Sequence, residues 1–85
     1  MAEEYTVFVK RQVVEGIQKL RGLNKRKMKE FISHIGQNPF DEGDFAETDR
    51  TGRTTYVKII KDYAISYYPD HPVKEIKIFE IERSG

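Results

Sequence analysis

The spacing of apolar residues changes twice along this chain. It predicts first a strand, then helices, and then strands again. Residues 5–9 are rich in β-branched and aromatic side chains, as β-strands are. Apolar residues then recur at helical spacing, first at Val13, Val14, Ile17 and Leu20 and again at Met28, Phe31, Ile32 and Ile35. Each set forms one apolar stripe, so the pattern predicts two short helices that must pack against another element.

Glycine, asparagine and proline mark the predicted ends of these helices. Gly22 closes the first helix, and Asn24, a good N-cap residue, begins the second. Gly36 is a suitable C-terminal cap for the second helix, and Pro39 prevents much continuation. The two helices are therefore expected to form a hairpin joined by a tight turn.

The second half of the chain has the pattern of an antiparallel sheet. Residues 38–52 are polar and acidic and hold at most a short edge strand near Phe45. Strand patterns follow at residues 54–60, 63–68 and 73–81, separated only by the turns at 61–62 and 70–72. Connections this short predict an antiparallel meander. The fold class is therefore α+β, with an N-terminal strand, a two-helix hairpin and then the meander, and one sheet face is left uncovered.

The length and composition exclude several classes of protein and several kinds of site. Eighty-five residues predict one domain over residues 1–85, and the absence of cysteine excludes disulfides, thiolate metal sites and a cysteine nucleophile. The acidic start of the chain is unlike a signal peptide, and no apolar run approaches the roughly 20 residues that span a bilayer. We therefore expect a cytoplasmic protein without a membrane segment, a metal or a cofactor.

The formal net charge of +1 conceals an uneven distribution of charge. Residues 1–30 hold eight basic and four acidic side chains, residues 39–55 hold two and five, and the remainder from residue 56 holds five of each. The run Lys25, Arg26 and Lys27 opens the second helix, where the helix dipole disfavours cations. This placement favours contact with phosphate or with an acidic partner, and solvated lysines on a turn are the alternative.

Basic and aromatic side chains alternate along the predicted sheet, a combination that suits single-stranded nucleic acid through phosphate contacts and base stacking. An ordinary exposed strand face is the alternative. His34 is expected at the edge of the apolar helix face in a structural role, and His71 in a solvated turn. The alternating side chains are Arg53, Lys58, Lys61, Lys74, Lys77 and Arg83 with Tyr56, Tyr63, Tyr67 and Tyr68. The carboxylates of Asp41, Glu42 and Asp44 are interpreted as a solvated loop.

The order of elements and three local signatures resemble the RelE/ParE superfamily of type II toxin–antitoxin toxins. The signatures are residues 38–40 (Asn-Pro-Phe), 62–67 (Asp-Tyr-Ala-Ile-Ser-Tyr) and 76–83 (Ile-Lys-Ile-Phe-Glu-Ile-Glu-Arg), and the resemblance covers about residues 5–83. The RelE branch cuts messenger RNA in the ribosomal decoding site without a metal, using a cleft of lysine, arginine and tyrosine. The resemblance therefore implies an RNA-directed toxin with an antitoxin partner.

The same resemblance suggests roles for particular residues. Arg83, Lys58 and Tyr63 are the candidate catalytic residues, and Lys61, Arg53 and Tyr67 are the candidate substrate-binding residues. An acidic antitoxin would bind the basic run Lys25, Arg26 and Lys27. The sequence departs from the family's pattern at Ala64, where an arginine is expected, and at Val57 and Ile59, which are often basic.

These departures leave three functional hypotheses. The first is a RelE-like, ribosome-dependent messenger RNA endoribonuclease, in which Arg83 steadies the phosphate and Lys58 or Lys61 stabilises charge. The second is a ParE-like toxin that binds DNA gyrase and needs no catalytic cleft. The third is a non-catalytic relative that uses the fold as a binding module. A cognate antitoxin is the expected partner in all three.

Overall fold

The computed structural model, which describes residues 4–84, is a five-stranded mixed sheet with two helices on one face. A single 3-10 turn, His71–Val73, joins the last two strands. The predicted α+β class and the order of elements are confirmed. The elements are β1 (Thr6–Val9), α1 (Arg11–Gln18), α2 (Gly22–Gln37), β2 (Phe45–Thr48), β3 (Thr54–Ile60), β4 (Tyr63–Asp70) and β5 (Glu75–Arg83).

The sheet has the strand order β1-β5-β4-β3-β2. Strands β2 to β5 form the predicted antiparallel meander, and β2 is the short edge strand expected near Phe45. The N-terminal strand β1 completes the opposite edge by pairing in parallel with β5, with Val7 opposite Ile76. Because β1 and β5 are far apart in the chain, no local pattern predicts this parallel pair.

The predicted start of the second helix is wrong by three residues, because its N-cap is Arg21 and not Asn24, and Gly22 opens this helix instead of closing the first. Helix α2 begins at Gly22, and Asn24 lies inside it instead of capping it. The Asn24 side chain donates a hydrogen bond to Asp62 Oδ2 (3.1 Å) and accepts one from the Asp62 backbone N–H (3.4 Å). Asn24 therefore ties the start of α2 to the β3–β4 turn, an interaction across the fold that the local sequence does not reveal.

Gly36 does not cap α2 as predicted, because the helix continues to Gln37. The backbone carbonyl of Gly36 accepts a hydrogen bond from the Tyr5 N–H (2.8 Å). A β-carbon at position 36 would lie only 3.0 Å from Val7 Cγ2 and 3.1 Å from the Tyr5 carbonyl oxygen. The residue is thus glycine because the helix approaches the chain beside β1 too closely for a side chain.

The core lies between the helices and the sheet face that they cover. Val14 is exposed, although the helical spacing places it on the predicted stripe. In β5 a bulge at Phe79 shifts the register, so that Ser66 pairs with Glu80 but Tyr67 pairs with Ile78. The core residues are Tyr5, Val13, Ile17, Leu20, Met28, Phe31, Ile35, Ile60, Ile65, Tyr67, Ile76 and Ile78.

Candidate functional site

The two faces of the sheet carry different chemistry, and alternation along β3 assigns its side chains to one or the other. Lys58 pairs directly with the buried Ile65, which places Lys58 on the side of the helices. Val57 pairs with Ser66 and points to the other side, which neither helix covers. We call the second side the open face.

A groove of about 500 Å³ lies between α2 and β3, and we call it the helix-side groove. It brings together three of the predicted site residues, Lys58 and Lys61 from the strand and the turn after it and Lys27 from the helix. The exposed apolar side chain of Leu23 lies beside them, and Ile59, whose side chain points to the open face, borders the groove. The remaining lining residues are Glu30, Phe31, His34 and Ile60. The groove therefore combines cationic and apolar contacts.

The groove lysines are only weakly engaged by acidic neighbours. Lys58 Nζ lies 3.9 Å from Asp44 Oδ1, and Lys61 Nζ lies 3.8 Å from Asp62 Oδ2. Exposed pairs at such distances contribute between about 0 and 1 kcal/mol. Within residues 4–84, Lys27 has no carboxylate within ion-pair distance. All three ammonium groups are consequently available to an anionic ligand.

His34 borders the groove and is held in place through both of its ring nitrogens. Nε2 lies 3.0 Å from Asp41 Oδ2, and Nδ1 lies 3.1 Å from Asn38 Nδ2. A neutral ring with its proton on Nε2 satisfies both contacts, because the Asn38 amide is a donor. The interactions fix the loop after α2, which supports the predicted structural role of His34.

The acidic loop after α2 is bound to the fold and not merely solvated, so that interpretation is wrong. Asp41 Oδ1 accepts a hydrogen bond from the Gly43 N–H (2.8 Å), and Asp44 Oδ2 accepts one from the Ile59 N–H (2.6 Å). Partial burial acts to raise the pKa of Asp41, but the hydrogen bonds from His34 and Gly43 outweigh it and lower that pKa. A β-carbon on Gly43 would lie 2.7 Å from the Val57 carbonyl oxygen, so only glycine fits there.

Two of the predicted catalytic residues, Arg83 and Tyr63, lie together but outside the groove. They are direct cross-strand partners, and the Arg83 guanidinium carbon lies 5.7 Å from the centre of the Tyr63 ring. Tyr63 also pairs with Ile60, which lines the groove. Arg83 on β5 is thus two strands away from Ile60 on β3, a distance of roughly 10 Å at ordinary strand spacing.

Tyr67 is unavailable to a nucleotide, because its side chain is completely buried in the core. Its hydroxyl donates a hydrogen bond of 2.7 Å to the Asp41 carbonyl oxygen, and burial raises the pKa of the phenol. The predicted substrate-binding role is therefore wrong in this structure. The flanking residues, Ser66 and Tyr68, gave no sign of which tyrosine faces inward, since the direction depends on the register of the sheet.

The remaining predicted site residues are distributed over separate surfaces. The Arg53 guanidinium carbon lies 4.3 Å from the centre of the Tyr68 ring, and Lys77 lies over Phe8 at 5.9 Å. Lys25 donates to the Gln18 carbonyl oxygen (3.4 Å), and Arg26 is exposed on α2. The structure divides the basic and aromatic side chains of the predicted sheet between its two faces, so they do not form one surface.

His71 is exposed, but it is more than a solvated turn residue. Its Nδ1 lies 2.8 Å from the Tyr5 hydroxyl, and its ring stacks on Phe40 with the centres 4.9 Å apart. These contacts hold the β4–β5 connection against the loop after α2. The sequence could not indicate this contact, because it joins residues distant in the chain.

The open face lacks the cations that the family pattern led us to expect. Val57 lies in a direct cross-strand row with Ser66 and Glu80, and Ile59 lies in a row with Ala64 and Glu82. Apolar, hydroxyl and acidic side chains thus occupy these two rows, while Lys77 and Arg53 lie elsewhere on the same side. The two rows offer no cation to a polyanion, whereas the helix-side groove does.

No protein-family model matches this chain, and no curated protein does. Solved structures do match. An archaeal RelE–RelB complex from Pyrococcus horikoshii contains a chain with 24% identity and a TM-score of 0.81, over 96% of this chain and 97% of that one. The RelBE2 toxin–antitoxin complex of Mycobacterium tuberculosis contains one with 17% identity and a TM-score of 0.73, over 95% and 99%.

A third match is the free E. coli toxin RelE, in a mutant with two arginines replaced by alanine. The identity is 14% and the TM-score 0.72, over 98% of this chain and 84% of that chain. The chain therefore has the fold of the RelE toxins, as the sequence resemblance predicted. In addition, none of the helices within residues 4–84 is long and apolar enough to cross a membrane.

Proposed function

We propose that this chain is the toxin of a RelE-type toxin–antitoxin pair and that it binds and cleaves messenger RNA through the helix-side groove. The observation that carries the proposal is the convergence of Lys27, Lys58 and Lys61 in one groove, on a fold shared with three RelE toxin structures. Lysine side chains neutralise phosphates as point charges and supply the electrostatic part of nucleic-acid binding.

Cleavage of RNA without a metal requires the 2′-oxygen to attack the adjacent phosphorus while the bond to the 5′-oxygen breaks. The 2′-hydroxyl loses its proton to a water molecule, the departing 5′-oxygen takes one from a lysine ammonium group, and the products are a 2′,3′-cyclic phosphate and a 5′-hydroxyl. Lys58 and Lys61 stabilise the charge on the phosphorane and supply a proton. An RNA strand that crosses the β3–β4 turn from the groove also meets Tyr63 and Arg83, which positions the neighbouring nucleotide.

The proposed antitoxin is an acidic, amphipathic segment that competes for the same groove. Leu23 offers an apolar contact there, and Lys27 belongs to the basic run at the start of α2. An amphipathic helix or strand with carboxylates on one side would satisfy both kinds of contact. Two of the structural relatives are complexes with the antitoxin RelB, which supports a partner of this type here.

Inducible expression in bacteria, with and without the adjacent open reading frame, tests this function. We expect growth arrest, with cuts in messenger RNA that require translating ribosomes and relief by the antitoxin. The Lys58→Ala/Lys61→Ala variant should abolish the cuts while its circular dichroism spectrum stays unchanged. Lys77→Ala is the matched control, because Lys77 is a half-buried lysine on the open side of the sheet.

Other outcomes would replace the proposal. Arrest with DNA damage and intact messenger RNA would identify gyrase as the target. A well-folded chain that causes no arrest would be a binding module without catalysis. Equal loss of cleavage in Lys77→Ala and in the groove variant would contradict the assignment of the site to the helix-side groove.

A further inference from the structure

The two edge strands of the sheet differ in how they are protected against pairing with another chain. An edge strand presents unpaired backbone N–H and C=O groups, and folded proteins usually place charges, prolines or bulges there. Strand β2 carries Glu47 and lies between Asp44 and Asp49. Strand β1 has the sequence Thr-Val-Phe-Val, without a charge, a proline or a glycine. The edge at β1 is therefore the unprotected one.

The hydrogen bonds of β1 show which of its backbone groups face outward. The N–H groups of Thr6 and Lys10 donate to carbonyl oxygens on the β5 side, at 3.1 and 2.9 Å. Because backbone groups alternate in direction along a strand, those of Val7 and Val9 face away from β5. Within residues 4–84, no loop, helix or side chain makes a hydrogen bond to them. Two N–H and two C=O groups are thus available at this edge.

Helix α2 closes this edge at one end and leaves the rest open. The N–H of Tyr5, the next outward-facing group, is already bonded to the Gly36 carbonyl oxygen (2.8 Å). Beside Val7, a groove of about 520 Å³ separates the strand from Ile32 and its neighbours on α2. The free edge therefore extends from Val7 to Val9, enough for four hydrogen bonds with an antiparallel strand.

We propose that two copies of this chain pair through β1, antiparallel to each other and with a twofold axis at Phe8. Val7 of each copy then exchanges two hydrogen bonds with Val9 of the other copy. Phe8 lies opposite its own symmetry mate as a non-hydrogen-bonded pair, the kind in which side chains approach most closely. Phe8 is 48% exposed and lies beside Lys77 on the open face, so neither helix obstructs this contact.

The charges at the two ends of β1 select a second copy in this orientation. Glu4 precedes the strand and Lys10 follows it, both are exposed, and neither has an ion-pair partner within residues 4–84. Antiparallel pairing about Phe8 puts Thr6 opposite Lys10 of the other copy, which brings Glu4 diagonally across from that lysine. Parallel pairing would instead put like charges together. The strand is thus complementary to itself at its centre and at both ends.

The association is expected to be weak, because the paired segment is short and specific, stable interfaces are much larger. It leaves the helix-side groove free, since β1 and β3 are separated by β5 and β4 in the sheet. The proposal therefore concerns an assembly of the chain with itself and does not rest on the proposed toxin activity.

Disulfide cross-linking tests the pairing and its register, because the chain contains no cysteine of its own. Phe8→Cys puts two thiols across the twofold axis, so mild oxidation with diamide should give a covalent dimer. Phe45→Cys is the matched control, since Phe45 is 47% exposed on the other edge strand, and it should cross-link at least roughly fivefold less. Thr6→Cys should also stay monomeric, whereas Thr6→Cys/Lys10→Cys should cross-link. Equal cross-linking of Phe8→Cys and either single-cysteine control would overturn the proposal.

Sedimentation equilibrium of the chain without cysteines tests the same interface without oxidation. The average mass should rise towards that of a dimer between micromolar and millimolar concentrations. Phe8→Lys should weaken the association more than about fivefold with an unchanged circular dichroism spectrum, because it opposes two ammonium groups at the axis. Phe45→Lys should associate like the parent. A parent that stays monomeric throughout, or a Phe8→Lys variant that associates equally well, would overturn the proposal. Neither experiment measures RNA cleavage, so this proposal and the proposed function can fail separately.

Discussion

The helix-side groove and the open face present opposite charges although they share the same central strands. Lys58 faces the groove, and its neighbour Val57 faces away from it in a row that ends at Glu80. One step along a strand therefore decides which ligand a surface can bind, because successive side chains point to opposite faces. A net charge of +1 for the whole chain describes neither surface.

The largest expected effect is on the free energy of unfolding. It compares Tyr67 with Tyr68, which are adjacent in the chain but point to opposite faces of the sheet. Tyr67→Ala should lower the free energy of unfolding by about 3–5 kcal/mol, because the ring is completely buried and the hydroxyl bonds the Asp41 carbonyl. Tyr68→Ala should lower it by only about 1 kcal/mol, because that ring is partly exposed. Urea denaturation measures both, and equal losses would contradict the assignment of the two faces.

The next contrast concerns RNA affinity and compares charge reversals on the two sides. Lys58→Glu/Lys61→Glu should weaken binding of a short single-stranded RNA by at least roughly thirtyfold and reduce the salt dependence of the binding constant. Lys77→Glu, on the open side, should change the affinity less than threefold. Fluorescence anisotropy at several salt concentrations measures both effects. Similar losses would mean that RNA does not distinguish the groove from the open face.

A smaller effect concerns the loop that borders the groove. Hydrogen bonds from His34 and Gly43 lower the pKa of Asp41 despite the opposing effect of burial, so its ionised form stabilises the folded state. A depressed folded-state pKa gives stability that is present above the unfolded-state value and is lost as the pH falls through the folded-state value. Asp41→Asn should therefore cost about 1 kcal/mol at pH 7 and progressively less below about pH 4.

Thermal unfolding at a series of pH values checks this prediction. Glu42→Gln is the control, because the Glu42 side chain is exposed and forms no hydrogen bond or ion pair within the described part of the chain. A difference between Asp41→Asn and the parent that stays constant down to pH 2 would show that ionisation of Asp41 does not stabilise the fold.

The smallest effect tests whether the open face can be converted to RNA binding. Ala64→Arg supplies the arginine that the family pattern predicts, but Glu82 lies directly opposite position 64. The single substitution should raise RNA affinity by less than about threefold, because the carboxylate pairs with the new guanidinium. Ala64→Arg/Glu82→Gln should raise it further. The same anisotropy measurement distinguishes them, and a large gain from Ala64→Arg alone would show that Glu82 does not control this face.

The local pattern predicted the elements well, because each has its own periodicity. The stripes in both helices, the edge strand near Phe45 and the turn at Lys61 and Asp62 all follow from neighbouring residues. The bulge at Phe79 and the pairing of β1 with β5 did not, because both depend on contacts between distant segments. Long-range packing also gives Gly36 and Asn24 roles that their local preferences did not indicate.

The candidate site was less predictable than the fold for the same reason. The sequence identified Lys58 and Lys61 as site residues but could not show that Lys27, from α2, lies in the same groove. It also could not show that Tyr67 is buried, because strand alternation gives relative directions only and the register fixes which face is inside.

The most direct test of RNA binding in the helix-side groove is to map bound RNA onto the two faces of the sheet. Isotope-labelled protein would be titrated with a short single-stranded RNA whose 2′-oxygens are methylated, so that it binds without being cleaved. We expect saturable NMR shifts of the backbone amides at Lys27, Lys58 and Lys61, with those at Ser66, Tyr68 and Glu80 unchanged. Shifts at the open-face residues with the groove lysines unaffected would contradict it.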